Sequence, residues 1–352
     1  MTKSIFTPIS KLGEFGLIEK LTKSIKTYHK STQKGIGDDA AVLSSLLKME
    51  QLVSTDMLIE GVHFDSTYTP LKHLGYKSTV VNISDVCAMN GDATHMLVSL
   101  GIPNKYSIEH IEELYAGIML ACKNYNIDLI GGDTTSSPTG LVINISIFGK
   151  AKKKSITYRS GAKPNDILLV SGTLGASYLG LQILEREKAI FNKNTDSQPS
   201  LDKYEYVLQK QLKPEARIDV IKILKDLKIK PSAMIDISDG LSADISHICK
   251  SSNVGAKIFE SKIPISKETR LVADEFNVNP TICALHGGED YELLVAISQT
   301  DYKKINKNTA LTPIGHITSK DSIDLIRESG DEINLKKEGW DSFLSKKSNT
   351  HI

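Results

Sequence analysis

The sequence predicts a mixed α and β protein of two domains, and three observations carry that prediction. At 352 residues the chain exceeds the size at which one hydrophobic core usually stops growing. Apolar residues alternate between a period of two and a period near 3.6 along most of its length. A polar, charged stretch from Lys150 to Asp166, punctuated by Gly161 and Pro164, interrupts both patterns. The boundary is placed there, giving domains at 1–155 and 156–352.

In the first half LVSTD, HMLVSLGI, DLIGGD and LVINISIFG read as strands, with helices in the gaps. One helical stretch starts near Leu71 and runs through Val80, Val81, Ile83 and Val86. Residues 107–123 set Ile108, Ile111, Leu114, Tyr115, Ile118 and Cys122 along one stripe behind Ser107 as N-cap, so this helix covers a sheet. In the second half DILLVSG, AMIDIS, GAKIFE, YELLVAI and PIGHI read as strands. Residues 214–228 read as a helix with Pro214 in its first turn and Ile218, Ile221, Leu224 and Leu227 inward. Residues 186–204 hold few apolar side chains and read as an exposed excursion between two helices.

Composition removes several function classes. Apolar residues at 40% and charged residues at 24% are ordinary for a globular chain. A formal charge of +1 leaves no net field to recruit nucleic acid or anionic lipid, and Lys152, Lys153 and Lys154 read as a solvated linker. Cys87, Cys122, Cys249 and Cys283 match neither a zinc pattern nor a disulfide framework and are expected to be reduced and buried. The first residues lack a secretory h-region and no segment is long and apolar enough to span a bilayer, which predicts a cytoplasmic protein with no membrane partner.

Chemistry concentrates in short acidic segments after glycines or apolar strands. GIGDDAAV carries Asp39 behind two glycines. Ser54, Thr55 and Asp56 end a strand with the hard oxygen ligands that magnesium prefers. Asp85 stands inside an apolar helix, where a lone carboxylate is costly and a cation would satisfy it. IGGDTT places Gly132 and Asp133 at the carboxyl end of a strand, the usual ligand position in open α/β sheets. In DISDGL, Asp236 ends a strand and Asp239 can cap the next helix, while HGGEDYE introduces another strand with Glu289.

No GxxxxGK[ST] segment is present, so the usual lysine-bearing phosphate cradle is absent. The Gly172–Gly175 turn reads as strand-to-helix packing. A bare carboxylate about 4 Å from a phosphate charge is repelled by roughly 4 kcal/mol at an effective dielectric of about 20. Several acids at a phosphate site therefore imply several cations, and phosphoryl transfer assisted by magnesium needs alignment and charge neutralisation more than a protein nucleophile.

As a set, GIGDDAAV, STDMLIEGVHF, VNISDVCAM, LIGGDTT, YRSGAKPND, IDISDGL and GGEDYEL resemble the thiamine-monophosphate kinases, in order and over nearly the whole chain. The resemblance implies a two-domain synthetase/kinase fold whose N-terminal mixed sheet, flanked by helices, pairs in a homodimer. It implies transfer of the ATP γ-phosphate onto thiamine monophosphate, giving thiamine diphosphate, with several magnesium ions and potassium as a candidate accessory ion. Carried over by position, Asp39, Ser54, Thr55, Asp56, Asp85, Asp133 and Asp236 match metal ligands, and Asp239 is similar to an acid holding a further ion. Tyr115, Gly132, Asp133, Arg159 and Ser238 match ATP contacts, and His63, Glu289 and Trp340 match substrate contacts.

Asn90 and Gly91 depart from the usual family pattern, and the tail after Phe343 is long. Selenophosphate synthetases and hydrogenase-maturation relatives depend on a cysteine in an N-terminal loop or at the C-terminus; the first cysteine here is Cys87 and the chain ends Thr350-His351-Ile352. An aminoimidazole ribonucleotide synthetase-like enzyme and a non-catalytic nucleotide-binding protein are the alternatives, although loss of catalysis should erase acids that are all present.

Overall fold

A computed structural model describes residues 30–44, 49–193, 201–305 and 310–335, together with Gly16, Ile18 and Glu19. Strands β1 (Thr32–Lys34), β2 (Ala41–Ser44), β3 (Met49–Ile59), β4 (Asp92–Ile102), β5 (Asp128–Ser136) and β6 (Val142–Lys152) form one sheet in the order β1-β2-β3-β6-β4-β5. Only β4 and β5 run parallel in it. Strands β7 (Ile167–Ser171), β8 (Ala233–Ile237), β9 (Gly255–Phe259), β10 (Glu292–Ile297), β11 (Leu311–Thr318), β12 (Ile323–Ile326) and β13 (Glu332–Asn334) form a second, in the order β13-β12-β9-β11-β7-β10-β8. Each strand read from the sequence is present, with β3 longer than LVSTD.

Alternation along β3 and β6 turns Leu52, Leu58, Ile143, Ile145 and Ile147 toward a helical layer and leaves Gln51, Thr55 and Met57 exposed on the other face. That layer is α1 (Leu71–Ala88) and α2 (Ile108–Tyr125). Their backbones touch: a methyl group on Gly75 would lie 2.0 Å from the Leu114 carbonyl oxygen. Helix α1 also packs on β8 of the second sheet, so it is buried nearly all round, which is why its sequence carries no polar stripe. The core around α1 takes in Met234, Leu293 and Val295 from one face of the second sheet. The other face packs under α6 (Leu241–Ser252), following α3 (Ala176–Lys193), α4 (Glu205–Leu212) and α5 (Ile218–Asp226) in the chain.

Three details differ from the sequence reading. Ile108, the first residue of α2, is 75% exposed, so the inward stripe is Leu114, Ile118 and Cys122 with Ile111 and Tyr115 at its margin. The helix expected over 214–228 spans Ile218–Asp226, and Ile218 is 47% exposed. The delay has a cause: the Ala216 N–H is held by Tyr125 Oη at 2.9 Å and the Arg217 guanidinium binds Glu292 and Asp219, which fixes a non-helical approach. The expected excursion at 186–204 is helical through Lys193, where α3 continues. All four cysteines are buried and unpaired. Among the described residues no helix is long and apolar enough to cross a membrane.

Candidate active site

Where α1 is gripped between the sheets, three carboxylates from distant parts of the chain converge. Asp39 precedes β2, Asp85 lies in the last turn of α1 and Asp236 sits in β8, and each offers an oxygen within 4.8 Å of the others. Their placement follows from local structure. Asp236 is a strand residue whose side chain points at α1, where Ser84 Oγ donates to its Oδ2 at 2.6 Å. Asp85 is held by Ser54 Oγ, which also lies 3.1 Å from the Asp39 carbonyl oxygen. Asn82, one turn before Asp85, accepts the Asp56 backbone N–H at 3.0 Å.

Burial of so many acids is visible in their protonation. Burial, and then the neighbouring Asp39 charge, push Asp236 up to about 8. Asp85 is driven well above the carboxylate range by burial and by Asp56, Asp236 and Asp39. Burial raises Asp56 to about 6, and burial with Asp39 raises Asp38 to about 6. Repulsion of this kind persists only where something compensates it.

One compensating charge is in place. Arg159 Nη2 donates to Asp39 Oδ1 at 2.7 Å, and the Arg159 backbone N–H donates to Asp38 Oδ1 at 3.1 Å. It leaves two buried atoms without protein partners, Asp39 Oδ2 and Arg159 Nε. An oxygen-only donor set with an unpartnered carboxylate oxygen fits a hard divalent cation, and a guanidinium N–H with no acceptor beside it fits a phosphate oxygen. The residues present therefore fit magnesium and a polyphosphate.

Ser238, Asp239 and Glu289 adjoin this cluster. The turn after β8 is tied to the Glu289 segment by a 2.7 Å bond from the Glu289 N–H to the Ser238 carbonyl, and the Asp239 N–H donates to Asp244 Oδ2 at 3.2 Å. His63 lies in the loop after β3, its Nδ1 accepting the Ile59 N–H at 3.0 Å. Trp340 and the tail after Phe343 lie outside the described residues.

The remaining sequence candidates form a second group. Thr55 stands between Ser54 and Asp56 on a strand, so its side chain takes the opposite face, bonded to Ser146 Oγ and Asn144 Nδ2 at 3.1 Å each. By register Asp133 faces that same open side, opposite Ser99 on β4, itself opposite Asn144. Asp133 is exposed on the sheet's edge strand, with Oδ1 accepting the Thr134 N–H at 2.9 Å. Three strand spacings, about 14 Å, separate β3 from β5. Near that edge Tyr115 lines a shallow cavity of about 400 Å³ with Ile102, Tyr106, Ile108 and Ile111. Sequence reasoning overlooked Asp38, Asp244 and Ser84, which hold the ligands from behind; their signal was an acid or hydroxyl immediately beside, or one helical turn beyond, an acid already singled out.

Two family models match the chain. Residues 37–151 match the AIR synthase related protein N-terminal domain, and residues 163–327 its C-terminal domain. A thiamine-monophosphate kinase of Bacillus subtilis is 34% identical over 338 residues, covering 94% of this chain and 100% of that one. One from Aquifex aeolicus is 34% identical over 336 residues, covering 95% and 99%. The solved structure of AaThiL complexed with AMPPCP and TMP superposes with a TM-score of 0.83 at 32% identity, covering 96% of this chain and 99% of that one.

Proposed function

This chain belongs to the family of thiamine-monophosphate kinases, and on that premise we propose that it moves the γ-phosphate of ATP directly onto the phosphate of thiamine monophosphate, giving thiamine diphosphate and ADP. The observation that carries the reading is the convergence of Asp39, Asp85 and Asp236 beside Arg159, with one carboxylate oxygen and one guanidinium N–H left unpartnered.

Asp39, Asp85 and Asp236 would hold magnesium, with Asp56 and Ser54 at the margin and Asp239 beyond Ser238. Bound magnesium would neutralise the polyphosphate and the charge that develops during transfer. The protein's own part is alignment. Ser84 aims Asp236, Asn82 pins the backbone at Asp56, and Asp39 locks one edge of the Arg159 guanidinium while its Nε remains free to donate to a phosphate oxygen. Because the acids are held above their ordinary range, loading the site with cations displaces protons. No protein nucleophile is needed: the acceptor is already a phosphate oxygen, and Glu289, His63 and Trp340 are assigned to the substrate.

The second group of candidates supports a homodimer. Gly132 and Asp133 stand on the edge strand β5, about 14 Å across the sheet from β3, and Asp133 faces the open side of the sheet. Packing the open sheet faces of two copies together would bring the Asp133 edge of one toward the Thr55 face of the other and complete two nucleotide sites by symmetry. The two domains, 1–155 and 156–352, would meet at the acid cluster.

The test is turnover of thiamine monophosphate with ATP and magnesium, reading thiamine diphosphate by chromatography and ADP in equal amount. ATP hydrolysis without thiamine diphosphate, or turnover of an amide-bearing ribonucleotide instead, would overturn the reading.

A further inference from the structure

We infer that Lys77 is a positioning residue for substrate binding, holding the Glu289 carboxylate in the orientation that meets the thiamine end of the substrate. The inference rests on the assignment of Glu289 as a substrate contact.

Lys77 is 5% exposed in a helix otherwise wrapped in apolar side chains, where an ammonium group persists only with full compensation. Its Nζ lies 2.9 Å from Glu289 Oε1 and donates to the Gln211 carbonyl at 3.0 Å. Gln211 closes the arrangement from the other side: Nε2 donates to Glu289 Oε2 at 2.9 Å, and Oε1 accepts from Ser177 Oγ at 2.6 Å. Both oxygens of Glu289 are thus held, from α1 and from α4, while its side chain stays 29% exposed. The carboxylate keeps an open side toward solvent and a fixed aim.

The link to the cation cluster is geometric. Lys77 and Ser84 are seven residues apart on α1, two turns along one stripe. Ser84 orients Asp236 and Lys77 orients Glu289. The Glu289 N–H to Ser238 bond ties the segment carrying Glu289 to the turn that follows the strand carrying Asp236. One stripe of a rigid helix therefore sets the spacing between the phosphate-side acid and the thiamine-side acid. Thiamine is a cation with an amine-bearing ring, and a carboxylate already aimed loses less freedom on binding it.

Steady-state kinetics of Lys77→Met, Glu289→Gln and the double variant test this in the full-length protein. Lys77→Met is expected to raise KM for thiamine monophosphate at least tenfold while kcat and KM for ATP stay within twofold, the signature of lost uniform binding. Glu289→Gln should do the same, and adding Lys77→Met to it should cost no more than twofold further. Gln211→Leu, which leaves α1 untouched, is expected to shift the same constant in the same direction and decides the matter if Lys77→Met fails to fold. An unchanged KM for thiamine monophosphate in Lys77→Met, or equal damage to the ATP constant, overturns the inference while Glu289→Gln still affects the substrate. A silent Glu289→Gln removes the Glu289 assignment and the inference together, and wild-type turnover of thiamine monophosphate then still upholds the proposed reaction.

Discussion

Asp85→Asn should make the cation-free protein more stable and the magnesium-loaded protein less so. Asp85 offers an oxygen within 4.8 Å of both Asp39 and Asp236, and two ionised carboxylates at that distance repel by roughly 3.5 kcal/mol at an effective dielectric of about 20. Asp85 faces two such neighbours, about 7 kcal/mol in all with every group ionised; retained protons relieve most of this in the folded state, leaving on the order of 2 kcal/mol, or a rise in Tm of about 3 °C, once Asp85 is neutral. Asparagine keeps the volume and the Ser54 bond. The sign with pH follows from raised folded-state values: Asp236 at about 8 and Asp56 at about 6 keep protons that the unfolded chain releases near 3.8. Stability of the cation-free wild type therefore falls as pH rises from about 4 to about 8. Thermal melts in chelator across pH 5–9, repeated with a magnesium titration, read both effects. A variant less stable than wild type in chelator at pH 8, or one gaining as much from magnesium, would refute the reasoning.

Three further outcomes are expected. Mixing subunits of Asp133→Asn with subunits of Asp236→Asn, each inactive alone, should restore about a quarter of wild-type turnover, because half the dimers are mixed and each mixed dimer keeps one intact site; no recovery after verified subunit exchange would place Asp133 and Asp236 in the same chain's site. Arg159→Lys should raise KM for ATP about tenfold in initial-rate measurements, since a lysine cannot both bind Asp39 and present a second N–H to a phosphate; an unchanged constant removes Arg159 from the nucleotide. Gly132→Ala should lower Tm by several degrees and weaken ATP binding, because the new methyl would lie 1.8 Å from the Val98 carbonyl oxygen and force β5 off β4; a wild-type melt would contradict that close approach.

Much of this was legible because strand ends and buried acids announce themselves. Asp85 in an apolar helix demanded a partner, and the structure supplies Asp39, Asp236 and Ser54 around it. Thr55 shows what was readable but unread: three consecutive strand residues cannot share a face, so Ser54 and Asp56 had to part from Thr55. Asp133 needed more than alternation, because only strand order reveals that β5 lies at the sheet edge, far from β3. Lys77 and Asp244 look like surface charges in sequence, and only the packing of α1 and α6 between other elements buries them. Ile218 was read inward on periodicity alone, since the Arg217 and Tyr125 contacts that delay the helix join residues far apart in the chain.

Anomalous scattering from manganese, in crystals grown with a non-hydrolysable ATP analogue, tests the cation cage most directly. The expected result is density for metal between Asp39, Asp85 and Asp236 and touching the analogue's phosphates. Metal found only on exposed acids, with none between the three carboxylates, would contradict the account.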